Sequence, residues 1–241
     1  MKEFNISKDF SNYSQRNNVI DPPNACGPTN IIQCLDYAGW PINPPIFKEL
    51  KQPEDKFLKF CRTDQRVLDY YKENFRSFYD EWNEESSRIA KEKRIKPWEV
   101  SCIKSYPPNE VHKVLNFAAN LFLGFTLKDI YSKEGATWCV EDESFPRLFE
   151  KYLVEAIREK EVPLLTSLRF KGGGHYVSIV GYTEDGGYVK EVIIDNTYGK
   201  FNFAEEKYEL VSGNDEKIPI NEFKKRMRPV LHFFKKQTAT I

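Results

Sequence analysis

The spacing of apolar residues changes near residue 162 of the chain. Before this point, apolar positions recur every three or four residues, as they do along one face of an α-helix. After it, short runs rich in β-branched and aromatic residues are separated by glycine-containing turns such as KGGG and EDGG. The pattern predicts an α+β fold with a helical N-terminal half and an antiparallel sheet in the C-terminal half.

The clearest predicted helix is ACGPTNIIQCLDYAG at 25–39, whose apolar stripe contains Ile31, Ile32 and Leu35. Pro28 suits the first turn of this helix, and Gly39 suits its end. Residues 1–24 are polar and end in a proline-containing loop. Two further helices are predicted at 110–123 and 144–160. Strands are predicted at 163–170, 175–182, 188–195 and 228–236.

Residues 47–100 are rich in charged and aromatic side chains. Their helically spaced aromatic and aliphatic residues are Val67, Tyr71, Phe75, Phe78 and Trp82. This spacing predicts amphipathic helices that pack beside the 25–39 helix and away from the sheet. The segment is either an insertion or lid, or a set of helices that completes the core.

The length of 241 residues suits a single domain spanning 1–241, with 47–100 inserted within it. Lys plus Arg and Asp plus Glu both total 36, and this balance argues against a nucleic-acid-binding protein. No apolar run is long enough to span a membrane. The N-terminus lacks the apolar core of a signal peptide, so we expect a cytoplasmic protein as synthesised.

Five cysteines stand at positions 26, 34, 61, 102 and 139, with no CxxC pair. In a cytoplasmic protein we expect them to be reduced thiols. The three histidines lie far apart in the sequence, and none belongs to an HExxH motif. We therefore expect no metal site and no organic cofactor.

Cys26 begins the predicted 25–39 helix, where the positive end of the helix dipole favours the thiolate form. A thiolate is the nucleophilic form of cysteine. The alternative is that Cys26 is a small buried apolar residue, which is how we interpret the other four cysteines.

His175 begins a predicted strand directly after Gly172, Gly173 and Gly174. It could act as a base for a thiol that lies close in space, or it could simply be a hydrogen-bonded strand residue. Asp195 ends a later strand and could orient an imidazole, or could initiate a turn. Asn196 could fill the same orienting role without a charge.

Four segments together resemble the C39-like branch of the papain-fold cysteine peptidases, and they occur in the order of that family. They are SQRNN at 14–18, ACGPTNIIQCLDYAG at 25–39, GGHYVSIVGY at 173–182 and VIIDNTYGKF at 192–201. The sequence departs from the family pattern at Asn196, where proline is usual, and at Asn17, where an acidic residue is common. Residues 40–160 form a longer and more helical connection than the family usually has.

The resemblance implies a papain-like fold and a cysteine peptidase or amide hydrolase that works through an acyl-enzyme. It assigns Cys26 as nucleophile, His175 as base, Asp195 as third triad member and Gln15 as oxyanion donor. Wall-degrading relatives extend the expected substrates from peptides to peptidoglycan peptide stems. The alternatives are an acyltransferase with the same triad and an inactive papain-fold binding module.

If Cys26 and His175 form a thiolate–imidazolium pair, the negative thiolate should raise the pKa of His175.

Overall fold

The structure is a computed structural model that describes residues 1–7, 13–100, 112–130, 134–170, 173–202, 205, 207–209 and 211–238. The helices are α1 (Cys26–Tyr37), α2 (Pro53–Thr63), α3 (Gln65–Asn74), α4 (Arg76–Lys93), α5 (His112–Phe122), α6 (Leu127–Ile130), α7 (Phe145–Val154) and α8 (Ile220–Arg226). The strands are β1 (Lys2–Asn5), β2 (Thr137–Glu141), β3 (Leu164–Phe170), β4 (Gly173–Asp185), β5 (Tyr188–Asn196), β6 (Phe201–Asn202), β7 (Lys207–Tyr208), β8 (Gly213–Pro219) and β9 (Val230–Phe234).

A mixed arrangement of helices and one antiparallel sheet confirms the predicted α+β class. The sheet has the strand order β2-β9-β3-β4-β5-β8, and β6 and β7 form a separate small hairpin. The four predicted strands are present as β3, β4, β5 and β9. β4 is buried without interruption from His175 to Thr183, so it forms the centre of the molecule.

The sheet also recruits two strands from the N-terminal half, so the predicted separation into a helical and a β half is incomplete. β1 comes from the polar N-terminal stretch, where no strand was predicted, and it pairs antiparallel with the second half of β4. β2 lies between α6 and α7 in the chain and pairs with β9. Short polar strands such as Lys2–Asn5 carry little apolar alternation, and their pairing depends on the partner strand.

The helix α1 forms as predicted because its apolar stripe faces the core. Ile31, Ile32 and Leu35 are fully buried, and α1 packs against β4. Its first turn contains Pro28, whose missing N–H costs no hydrogen bond at that position. The helix therefore places Cys26 at the end of an element that is anchored along its length in the core.

Residues 47–100 are mostly helical, as predicted, and contain α2, α3 and α4. α2 packs against α1, and α2 and α3 pack against α5. Val67, Tyr71 and Trp82 are buried, but Phe78 is 42% exposed. The stripe fails at Phe78 because Phe75, between α3 and α4, has non-helical backbone angles (φ −140°, ψ 50°), so the helical spacing does not continue from α3 into α4.

Buried polar contacts fasten α2 to the loop that precedes α1. Arg62 forms an ion pair with Asp21 at 2.7 Å, and both side chains are inaccessible to solvent. The carboxylate of Asp55 accepts hydrogen bonds from the backbone N–H groups of Val19 at 3.1 Å and Ile20 at 3.0 Å. The helical segment therefore supports the chain immediately before Cys26.

Candidate active site

Cys26 is the first residue of α1 and is partly accessible to solvent. The Ala25 carbonyl accepts the Thr29 N–H at 2.9 Å, which starts the helical ladder directly before Cys26. Cys34 and Cys61 are fully buried, and burial raises the pKa of both thiols. Cys102 lies outside the described residues.

Asn30, one helical turn after Cys26, joins three elements at this end of the sheet. Its Nδ2 lies 2.8 Å from the Cys26 carbonyl oxygen, 3.0 Å from the Tyr176 carbonyl oxygen and 3.0 Å from Thr197 Oγ1. Tyr176 directly follows His175 in β4, and Thr197 directly follows Asn196 at the end of β5. The side chain of Asn30 therefore ties the start of the Cys26 helix to the chain on both sides of the histidine.

His175 is buried and bonds to Asn196. Its Nε2 lies 2.9 Å from Asn196 Oδ1, which also accepts the Tyr198 N–H at 3.2 Å. Because an amide oxygen only accepts, Nε2 must carry the imidazole hydrogen and Nδ1 the lone pair. The arrangement thus selects one tautomer of His175.

Asp195 bonds elsewhere, and this corrects its expected place beside the imidazole. Its Oδ2 accepts from Tyr37 Oη at 2.6 Å and from Gln33 Nε2 at 3.2 Å, and its Oδ1 accepts from the Asp215 N–H at 3.0 Å. Asp195 therefore fastens β5 to α1 and β8. Consecutive strand residues point to opposite faces, so Asn196 rather than Asp195 reaches His175.

Burial lowers the pKa of His175 to about 4, and the hydrogen bond with Asn196 only partly opposes this shift. The direction is opposite to the raised pKa expected for a thiolate–imidazolium pair. The reason is that the partner of the imidazole is a neutral amide, which does not compensate for the loss of water around a cation. His175 is consequently a neutral imidazole at neutral pH.

Gln15 is buried next to the turn that leads into Cys26. Its Nε2 donates to the Pro22 carbonyl oxygen at 3.1 Å, and its Oε1 accepts from Thr197 Oγ1 at 3.1 Å. Its backbone N–H donates to the Thr197 carbonyl oxygen at 3.1 Å. Gln15 thus connects the end of β5 to the chain before the nucleophile candidate.

Sequence reasoning missed three residues of this site, namely Asn30, Tyr208 and Glu216. Glu216 belongs to the site because its Oε2 accepts from Asn196 Nδ2 at 3.3 Å. The Tyr208 ring centroid lies 5.5 Å from that of His175, and burial raises the pKa of the Tyr208 hydroxyl. Tyr208 therefore lies beside the candidate base His175. A polar side chain four positions after Cys26 was the available signal for Asn30, whereas nothing local in the sequence singles out Tyr208 or Glu216.

Among the residues that the structure describes, no group of three or more His, Cys, Asp or Glu side chains is arranged to hold a metal ion. Within the same residues, no helix is both long enough and apolar enough to cross a membrane.

A family model described as "Peptidase_C39 like family" matches residues 7–217. The match includes all the candidate residues described above. Searches of curated proteins and of solved structures found no significant match.

Proposed function

This chain belongs to the peptidase C39-like family, and we propose that it is a cysteine peptidase with Cys26 as nucleophile, His175 as base and Asn196 as orienting residue. The family membership suggests a cysteine-peptidase-like function. The observation that carries the finer assignment is the 2.9 Å contact between His175 Nε2 and Asn196, at the strand ends that Asn30 ties to the Cys26 helix.

In the proposed reaction, His175 Nδ1 takes the proton from Cys26 Sγ as the sulfur attacks the substrate carbonyl carbon. The tetrahedral intermediate collapses when the carbon–nitrogen bond breaks, and the imidazolium gives its proton to the leaving amine. Water then attacks the thioester carbon, passes a proton to Nδ1, and the carbon–sulfur bond breaks. The proton returns to Cys26, so the enzyme is regenerated with no cofactor.

Gln15 is the proposed oxyanion donor, together with the backbone N–H of Cys26. Its burial beside the Pro22–Asn24 turn supports this role, because it keeps the Gln15 amide next to the chain that leads into Cys26. In the structure its amide donates to Pro22, so this bond must be exchanged when the oxyanion forms. The proposed architecture is a single papain-like catalytic domain at 1–241, with 47–100 as a helical insertion.

We propose peptide amide bonds as the substrate class, with peptidoglycan peptide stems as one form to be tested. The experiment incubates the protein with unfolded casein and, separately, with purified stem peptides, and measures the release of amines. Iodoacetamide should stop the release, with the label found on Cys26 by peptide mass spectrometry. Release that survives complete labelling of Cys26 would remove the cysteine peptidase proposal. An added amine that appears in the product would identify acyl transfer instead.

The same assay has an expected pH dependence. His175 must be neutral to accept the thiol proton, and burial lowers its pKa to about 4. The value of kcat/KM should therefore be lost completely only as the pH drops through about 4, and complete loss should not occur near the unperturbed histidine value of about 6.5. Circular dichroism at each pH controls for unfolding, and complete loss of kcat/KM near a pH of about 6.5 in the folded protein would contradict the assignment.

Substitutions at two adjacent residues test which of them orients His175. Asn196→Ala should lower kcat by roughly 10-fold to 100-fold, because the tautomer and direction of the imidazole are no longer fixed. Asp195→Asn should leave kcat within a few-fold of wild type, because this side chain serves the contact between β5 and α1. Steady-state kinetics on the folded variants give the comparison, and the reverse ranking would restore Asp195 to the triad.

A further inference from the structure

We propose that Glu216 acts through Asn196 as a positioning residue for His175. A triad aspartate would place its negative charge directly beside the imidazole. Here the negative charge of Glu216 acts on the imidazole through the Asn196 amide that lies between them. The contacts form a chain from β8 to β4. Glu216 Oε2 accepts from Asn196 Nδ2 at 3.3 Å, and Asn196 Oδ1 lies 2.9 Å from His175 Nε2. The catalytic consequence rests on the proposed peptidase function, whereas the effect on the imidazole does not.

Glu216 determines which way the Asn196 amide faces. A carboxylate accepts hydrogen bonds only, so it selects the NH₂ end of the amide. The oxygen end is then directed to His175 Nε2 and to the Tyr198 N–H. A reversed amide would place the Asn196 NH₂ group against the Tyr198 N–H and the His175 Nε2–H, which are also donors. Glu216 therefore fixes the imidazole tautomer indirectly, through the orientation of Asn196.

The position of Glu216 is fixed by its surroundings. The side chain is buried, and its second oxygen accepts the Phe201 N–H at 3.2 Å. β8 approaches β5 closely because Gly213 has no side chain, since a Cβ there would lie only 2.8 Å from the Cβ of Asn196 and closer still to its carbonyl oxygen. This close approach brings the carboxylate of Glu216 within reach of Asn196.

The charge on Glu216 changes with pH near neutrality. The pKa of this carboxyl is raised to about 7: burial is the main cause and Glu209 adds to it, whereas the hydrogen bonds from Phe201 and Asn196 and the charge of Lys200 partly oppose the shift. The charge of Glu216 also acts on the Tyr208 hydroxyl. Because hydrogen-bonded groups polarise one another, an ionised Glu216 makes the Asn196 oxygen a stronger acceptor for His175. This support grows as the pH rises through about 7.

The first test needs no turnover. NMR of protein labelled with isotopic histidine should show the His175 Nε2–H signal moving as the pH rises from 6 to 8. In Glu216→Gln this movement should disappear, and some of the Nδ1–H tautomer should become visible. Glu191→Gln, which removes a carboxylate from the same strand pair far from His175, should leave the movement intact. A His175 signal in wild type that is constant across this range, or one that moves equally in Glu216→Gln, overturns the proposal.

The second test is kinetic. At pH 8, Glu216→Gln should lower kcat by about tenfold, with a smaller effect at pH 6, where Glu216 is already protonated in wild type. The double variant Asn196→Asp/Glu216→Gln moves the charge one residue closer, and most of the lost kcat should return. A role in packing alone predicts no loss from the near-isosteric glutamine and no rescue. Circular dichroism confirms that each variant is folded.

The outcomes separate this inference from the proposed function. If NMR shows the Glu216-dependent movement but no thiol-dependent hydrolysis is found, the positioning of His175 stands and the peptidase assignment fails. If hydrolysis depends on Cys26 but Glu216→Gln matches wild type in both NMR and kcat, the peptidase assignment stands and the role of Glu216 is refuted.

Discussion

Replacing Cys26 with alanine should abolish peptide hydrolysis while the fold remains intact. The side chain is partly exposed at the first residue of α1, so its removal leaves no large cavity in the core. We expect kcat to fall by about 10⁴-fold or more, because the covalent route is lost. His175→Ala should give a loss of similar size, and the double variant should be hardly worse than either single one, since the two residues act as a unit.

Cys139→Ala provides the matched control for this experiment. Cys139 is also a partly accessible thiol, but it lies in β2, and burial raises its pKa. Its substitution should leave kcat unchanged. Steady-state hydrolysis with thermal unfolding as a fold check gives the comparison. Full activity in folded Cys26→Ala would exclude the proposed mechanism, and a shared loss in both variants would indicate a structural effect.

Replacing Arg62 with methionine should destabilise the protein by about 3–5 kcal/mol, because it leaves the Asp21 carboxylate buried without its guanidinium. Both side chains of this pair are inaccessible to solvent, and they join α2 to the loop before Cys26. Urea unfolding monitored by circular dichroism measures the free energy of unfolding of the wild type and the variant. The double variant Asp21→Asn/Arg62→Met should recover part of the loss, because the buried charge is gone.

Arg66→Met serves as the control for this prediction. Arg66 pairs with Asp64 at 2.7 Å, but its side chain is 58% exposed. An exposed ion pair typically contributes about 0–1 kcal/mol, so this substitution should have a small effect. Equal losses in the two variants would show that the buried contact between Arg62 and Asp21 has no special role in stability.

Local sequence patterns predicted the elements that carry the candidate nucleophile and base. The apolar stripe of α1 predicts only a helix, and the β-branched run of β4 predicts only a strand, because both elements are buried along their length. The helical character of 47–100 followed from spacing in the same way. The family resemblance added the roles, and the family model then matched residues 7–217.

The choice between Asp195 and Asn196 required the tertiary structure. Adjacent strand residues face opposite sides, and the register of β5 decides which side faces His175. Asp195 pairs with Ser178 on the side covered by α1, and the pairing of β5 with β8 is irregular between Ile194 and Asn196. Such irregularities are determined by the pairing of two strands that are distant in the sequence, so no local sequence pattern predicts them.

The contacts between Asp55 and the loop before Cys26 have a consequence for motion. Val19 is exposed at the surface, yet its amide hydrogen, like that of Ile20, is bonded to a carboxylate anchored in α2. This loop therefore cannot open locally without also breaking its attachment to the helical layer. Movement of the chain leading into Cys26 would therefore either break these contacts or carry α2 with it, so the helical segment supports this loop and does not move independently of it.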